Sequence, residues 1–428
     1  MATGITETTA MKLESSRIAS EVSRIIDETP VFDMHTHQYP PSFDNLFSSG
    51  IDDLLTYHYL IAELFRSASI RTGDFWRLSK PQQADLIWET LFVRNTPLSE
   101  ACRGVICVLH AFGLDPQATT LKQAREFFRA SRPEDHLERV MQLAGVSDIV
   151  MTNDVFHEPE TAYWKSEAAQ HPKLHAALRM DPLLNNWEQT YQILNGQGYA
   201  ATREIDSETI AGVRRFLQAW IARMKPLYMA VSLPDTFQYP EESARGRLLR
   251  EVVLPLGREA KLPLALMIGV RRAVNPELRD AGDGLGRADV GAVERICAEN
   301  PDNRFLVSIL SRENQHELCV AARKFSNLMP FGCWWFLNNP SIIREITDER
   351  LEMLGASFIP QHSDARILDQ IVYKWKHSRH TIAESLTGNY LALARDGWAL
   401  KTDQIKRDVE RLFQGNFRSF VGLPPFAR

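Results

Sequence analysis

Val31-Phe32-Asp33-Met34-His35-Thr36-His37 is the stretch that decides the fold. Its apolar opening, after a helix-like leader that stops at Pro30, reads as a short buried strand. Side chains alternate faces along a strand, so positions i and i+2 point the same way. His35 and His37 are therefore expected to project together from the carboxyl end of the strand. Two imidazoles on one face supply half of a ligand set for Zn²⁺ or a similar divalent ion. The carboxyl ends of strands are where a (β/α)₈ barrel does its chemistry.

Working outward, residues 11–29 read as an amphipathic leader helix. Residues 43–145 read as helical throughout, and nothing strand-like interrupts them. After Gly145 short apolar runs alternate with helical stretches. The predicted strands are 31–34, 149–152, 174–178, 228–233, 264–268, 305–310, 328–331 and 358–359. Such alternation indicates a parallel sheet, and eight units favour a closed barrel. The expected architecture is a single (β/α)₈ domain over 1–428, carrying a large helical insertion (43–145) after its first strand.

Composition bounds the function. The chain has 428 residues, 44% hydrophobic and 24% charged, with a net charge of −5. That is the profile of a soluble, enzyme-sized protein with no basic footprint for nucleic acid. The longest apolar runs, such as 262–270, are too short to span a bilayer. The opening residues 1–11 are polar, without the apolar centre of a signal peptide. The five cysteines are odd in number and scattered, which suggests buried thiols in a reducing, cytoplasmic setting.

Polar groups collect at the ends of the predicted strands. Asp364, in the segment Gln361-His362-Ser363-Asp364-Ala365-Arg366, is the natural third metal ligand; it also reads as the cap of the next helix. Arg179 and Arg366 end strands on opposite sides of the mouth. Two guanidinium groups beside a metal suggest an anionic substrate, although Asp181 is an obvious ion-pair partner for Arg179. Tyr59, with His58 beside it, lies on an insertion helix that can reach over the mouth, yet a Tyr in an apolar stripe also reads as core. Trp375 is placed to wall the pocket, His362 to support the ligands, and Trp334 and Trp335 to pack the barrel. The middle strands end without His, which argues against a two-metal site.

The chain resembles the uronate isomerases, a branch of the amidohydrolase superfamily, and looks most like their shorter, bacillus-type members. The resemblance runs from about Pro30 to Gly422. It is carried by Asp33-Met34-His35-Thr36-His37, Asp52-Asp53-Leu54-Leu55-Thr56-Tyr57-His58-Tyr59, His175-Ala176-Ala177-Leu178-Arg179-Met180-Asp181-Pro182, Ser311-Arg312-Glu313-Asn314-Gln315-His316, and the Gln361–Arg366 segment. It implies a distorted TIM-like barrel of the metal-dependent hydrolase type holding one divalent metal, usually zinc. It implies interconversion of D-glucuronate with D-fructuronate and of D-galacturonate with D-tagaturonate. His35, His37 and Asp364 match metal-site residues; Tyr59, Arg179, Arg366 and Trp375 match substrate-pocket residues. One departure follows the HxH pair, where this chain reads Gln38-Tyr39-Pro40-Pro41-Ser42. The expected partner is a small hexuronate, with no nucleic acid or membrane; insertion helices offer surfaces for a homo-oligomer. Two other readings share the motif: a metal-dependent hydrolase of a sugar lactone or related ester, and a sugar-acid binder without catalysis.

Overall fold

A computed structural model describes residues 13–166 and 171–425. The polar opening segment 1–11 lies outside these, as does the first part of the expected leader helix, which is observed as Ser15–Glu28. Ile18, Val22, Ile25 and Ile26 form the buried stripe of that helix, the spacing of an amphipathic face.

The strands are β1 (Val31–Thr36), β2 (Val146–Asp154), β3 (Leu174–Arg179), β4 (Met229–Pro234), β5 (Leu264–Arg271), β6 (Gly284–Leu285), β7 (Phe305–Ile309) and β8 (Leu328–Pro330). They follow the order β1-β2-β3-β4-β5-β7-β8, with β6 alone antiparallel, on β5. All other pairings are parallel. All six residues of β1 are buried, as expected for a parallel strand covered on both faces. The result is a distorted (β/α)₈ barrel.

The distortion is at the closure. The expected eighth strand, 358–359, survives only as a single bridge between Phe331 and Ile359. Beyond it the chain is irregular, and it meets β1 through individual hydrogen bonds. Asp364 N donates to His35 O (3.1 Å) and His37 N to Ala365 O (2.9 Å). Ser363 N donates to the Asp33 carboxylate (3.0 Å). Phe32, Met34, Val150, Ala177, Ala230, Ala265 and Phe331 fill the barrel, with Phe417 from the helix Asn416–Val421 packed against Phe32 and Tyr228.

Between β1 and β2 the chain is helical, from Ile51–Leu55 to Pro133–Ala144. These helices are fastened to the barrel by the long helix Gln370–Arg395, which packs on Ser15–Glu28, Glu100–Ala111 and Pro133–Ala144. Just before it, fully buried Asp369 accepts from Gly50 N (2.7 Å) and pairs with His136 Nε2 (2.7 Å). One carboxylate thus ties two points of the insertion to the end of the barrel.

Candidate metal centre and substrate pocket

His35 and His37 owe their direction to a bulge. Phe32 and Met34 face the barrel interior, so plain alternation would send Thr36 inward next. Instead the register with β2 shifts between Asp33 and Thr36; one extra residue re-aims the side chains that follow. The two imidazoles end 5.6 Å apart, centroid to centroid. Asp364 arrives from the other side of the closure with φ of 51°, a left-handed conformation that an Asp tolerates at some cost. Its Oδ1 lies 3.3 Å from His37 Nε2 and 3.6 Å from His35 Nε2.

The hydrogen bonds behind the ligands define their tautomers. The Tyr228 hydroxyl donates to Met34 O (2.7 Å), so toward His35 Nδ1 (3.2 Å) it accepts. The Thr152 hydroxyl donates to Thr36 O (2.8 Å), so toward His37 Nδ1 (2.9 Å) it also accepts. Both rings therefore carry their proton on Nδ1 and turn an Nε2 lone pair toward Asp364. Burial pushes the His35 imidazole down to about 3, outweighing the attraction of Asp364, and holds His37 well below its usual value. Neither ring is a cation here. Two lone pairs face a carboxylate oxygen that has no hydrogen-bond partner. Such a set of acceptors repels itself unless a cation lies among them, and His35, His37 and Asp364 are the cluster among the described residues fit for a metal. The donors suit a divalent ion.

His362 lies against His35 at 5.1 Å, buried, with both ring nitrogens unpartnered. Burial drives it to about 3. Asp33, on the outer side of β1, accepts from Ser363 N and from Trp375 Nε1 (2.8 Å). Trp375 is 2% exposed and lies behind the strand. It reaches the site through Asp33 and does not wall the cavity.

The cavity above the ligands is lined by His35, His37, Thr152, Arg179, Arg272, Arg366, Trp334 and Trp335, among others. Trp334 and Trp335 therefore face the cavity, contrary to the expectation that they only pack the barrel. Arg179 is held bidentately by Asp181 (3.0 Å and 3.0 Å), so the ion pair and the position at the mouth coexist. The Arg366 guanidinium has no hydrogen bond among the described residues, and its charge depresses His37 and His58. His58 is driven to about 3, mainly by burial. Tyr59 is raised well above its usual value by burial, and among the charges that raise it is Asp364. Both lie at the start of the helix His58–Ser67, outside the lining of this cavity, with Lys374 5.4 Å from the Tyr59 ring. Sequence reasoning missed Thr152, Tyr228 and Arg272, whose roles depend on which strands become neighbours.

A crystal structure of a uronate isomerase from Bacillus halodurans superposes with a TM-score of 0.95, at 51% identity over 96% of this chain and 98% of that one. The chain belongs to the uronate isomerase family. Two further structures share the fold: a uronate isomerase from Thermotoga maritima (TM-score 0.76, 12% identity, 98% of this chain and 100% of that one) and a glucuronate isomerase from Caulobacter crescentus (0.68, 14%, 99% of each). No protein-family model and no curated protein matches the sequence. No helix among the described residues of this uronate isomerase family member is long and apolar enough to cross a membrane.

Proposed function

We propose that this protein is an aldose–ketose isomerase that interconverts D-glucuronate with D-fructuronate and D-galacturonate with D-tagaturonate. The observation that carries the reading is the 51% identity to a uronate isomerase over nearly the whole chain, and the His-His-Asp cluster beneath three arginines fits it. The lactone hydrolase and the catalytically silent binder are not favoured by that identity.

His35, His37 and Asp364 would hold one divalent metal, with zinc the first choice for two imidazoles and a carboxylate. Once bound, the metal supplies a Lewis acid that draws charge from the reacting oxygens. The rest of the chemistry falls to side chains. Isomerisation moves a proton between C2 and C1 through an enediol, and needs a base and an acid in reach. Asp364 is the proton carrier in this reading, on its place on the final segment two residues before Arg366, with the carboxylate oxygen other than the Oδ1 that faces the imidazoles left to move the proton. Tyr59, its phenol kept neutral by burial, donates a hydrogen bond to a substrate oxygen as the proton moves between C2 and C1. Neutral His58 orients a hydroxyl. Arg366 takes the uronate carboxylate, since its guanidinium makes no hydrogen bond among the described residues, and Arg179, steadied by Asp181, flanks it. Trp375 acts as a positioning residue, holding Asp33 and through it the segment that carries Asp364.

The same reading places the protein in the cytoplasm, in keeping with five free, buried cysteines, with a small hexuronate as its partner. Exposed Val93 and Leu98 of the insertion offer a contact for a homo-oligomer, which light scattering would reveal. The deciding experiment is metal-replete protein with either aldose in D₂O, followed by proton NMR. Ketose carrying deuterium next to the carbonyl is the expected outcome; no ketose from either sugar overturns the reading. Asp364→Asn should lower kcat by roughly 10²–10⁴-fold. Full turnover in that variant would remove Asp364 from the proton path.

A further inference from the structure

Lys374, in the second turn of the helix Gln370–Arg395, is 4% exposed and takes no part in the proposed chemistry. Lysines are seldom buried so deeply unless they are paired. The pairing here is thin. Among the described residues its Nζ makes one hydrogen bond, to Glu100 Oε1 (3.3 Å), although an ammonium carries three donors. Its other close neighbours are two aromatic rings, with centres at 5.0 Å for Tyr373 and 5.4 Å for Tyr59. Both distances lie within the reach of a cation–ring attraction, which grows where water is excluded. An apolar side chain would fasten two helices at least as well as a thinly paired charge, so packing alone does not account for a lysine at this position.

A closed circuit of contacts holds the ammonium in place. Tyr59 and Glu63 stand one turn apart on the helix His58–Ser67. Glu63 Oε2 accepts from the Ser99 hydroxyl (2.6 Å). Ser99 in turn caps the helix Glu100–Ala111 by accepting from Cys102 N (3.1 Å). Glu100, the first residue of that helix, reaches Lys374, and the Lys374 ammonium returns to the Tyr59 ring. Gly104, one turn after Glu100, lets the two helices come this close: a methyl group there would lie 2.7 Å from the Tyr373 ring. The same end of the long helix already serves the site. Gln370, one turn before Lys374, accepts from Arg366 N (2.9 Å) and Ile367 N (3.1 Å). Trp375, the next residue, donates to Asp33 on β1.

We propose that Lys374, anchored by Glu100, is a positioning residue for Tyr59: its ammonium fixes the phenol ring and strengthens the hydroxyl as a donor toward the reacting oxygen. The inference rests on the isomerase reading, in which Tyr59 makes that hydrogen bond. A cation beside the ring draws electron density from the phenol. An O–H depleted in this way gives a stronger hydrogen bond to an oxygen that gains negative charge. The gain is largest at the enediol stage, so it falls on turnover more than on substrate binding.

Steady-state kinetics with D-glucuronate test it on metal-replete full-length protein, in the wild-type and Tyr59→Phe backgrounds. Lys374→Met keeps the apolar stem and should lower kcat by about three- to thirtyfold, with KM within about threefold of wild type. Lys374→Arg, which keeps a cation beside the ring, should recover most of that loss. Glu100→Gln should lower kcat in the same direction by less, and it carries the test where Lys374→Met does not fold. Phenylalanine at 59 keeps the ring against the ammonium and removes only the hydroxyl. In that background neither substitution should lower kcat further, because Lys374 acts through the hydroxyl. An unchanged kcat in Lys374→Met, or a Lys374→Arg protein no better than Lys374→Met, overturns the proposal. An equal loss with and without the Tyr59 hydroxyl overturns it too and marks a clamp between helices. Full turnover by Tyr59→Phe also overturns it while leaving the isomerase standing. A wild-type protein that turns over neither uronate overturns the isomerase and this inference with it.

Discussion

At the scale of single residues, the centre depends as much on what stands behind the ligands as on the ligands. Gly332 is the sharpest case. Its φ is +63°, and a methyl group added there would sit 1.9 Å from His362 Cδ2. Gly332→Ala therefore combines a strained backbone with a clash against a ring packed on His35, and should cost about 2–4 kcal/mol. Urea unfolding checks this through the midpoint at unchanged slope. That His35 and His37 share a face was legible in the sequence, because an i, i+2 pair at a strand end needs only local geometry; that the face is the cavity's depends on the bulge in β1. The hydroxyls of Thr152 and Tyr228 were not legible, since a hydroxyl that fixes a tautomer is recognisable only once two distant strands lie side by side. Trp334 and Trp335 misled for a related reason: an aromatic pair after a strand looks the same whether it faces the core or the cavity.

At the scale of elements, the alternation of apolar runs after Gly145 located the parallel strands to within a few residues. It could not reveal β6, because two residues carry no periodicity, nor the bulge in β1, because an inserted residue leaves composition unchanged. The expected eighth strand is reduced to the single bridge of Phe331 with Ile359, and the segment beyond it reaches β1 through individual hydrogen bonds. The loop after β1 and the helix Glu158–Lys165 meet at Glu160, a fully buried carboxyl. It accepts from Asn153 Nδ2 (2.7 Å), Asp154 N (3.0 Å) and the Tyr39 hydroxyl (3.0 Å). Burial outweighs these donors and pushes Glu160 up to about 7, from 4.5. A raised carboxyl supports the fold fully below its unfolded value and loses that support as pH climbs through the folded one. Wild type should thus lose stability relative to Glu160→Gln between about pH 5 and 8, by up to about 3 kcal/mol. Thermal midpoints of the two proteins across that range measure it; parallel curves would contradict it.

At the scale of the whole molecule, the barrel is complete around most of its circumference and is knotted together by hand at one seam. Individual hydrogen bonds cross that seam, among them Asp364 N to His35 O, His37 N to Ala365 O, Gln38 Nε2 to Ala365 O and Ser363 N to the Asp33 carboxylate, and the candidate metal ligands straddle it, with His35 at the end of β1, His37 just beyond it and the aspartate on the final segment. An ion bound there fastens the first strand to the last. Its removal with a chelator should lower stability by about 3–4 kcal/mol relative to protein holding metal at a hundred to a thousand times its dissociation constant. Calorimetry with and without metal checks this, and an unshifted transition would mean that the seam closes unaided. The seam also has a meaning in time. Asp33 and Ser363, which face each other across it, are 330 positions apart, so almost the entire chain must be synthesised before the two halves of the site can meet. Until then the emerging histidines hold an incomplete grip on any ion, and competence arrives in one late event instead of growing with length.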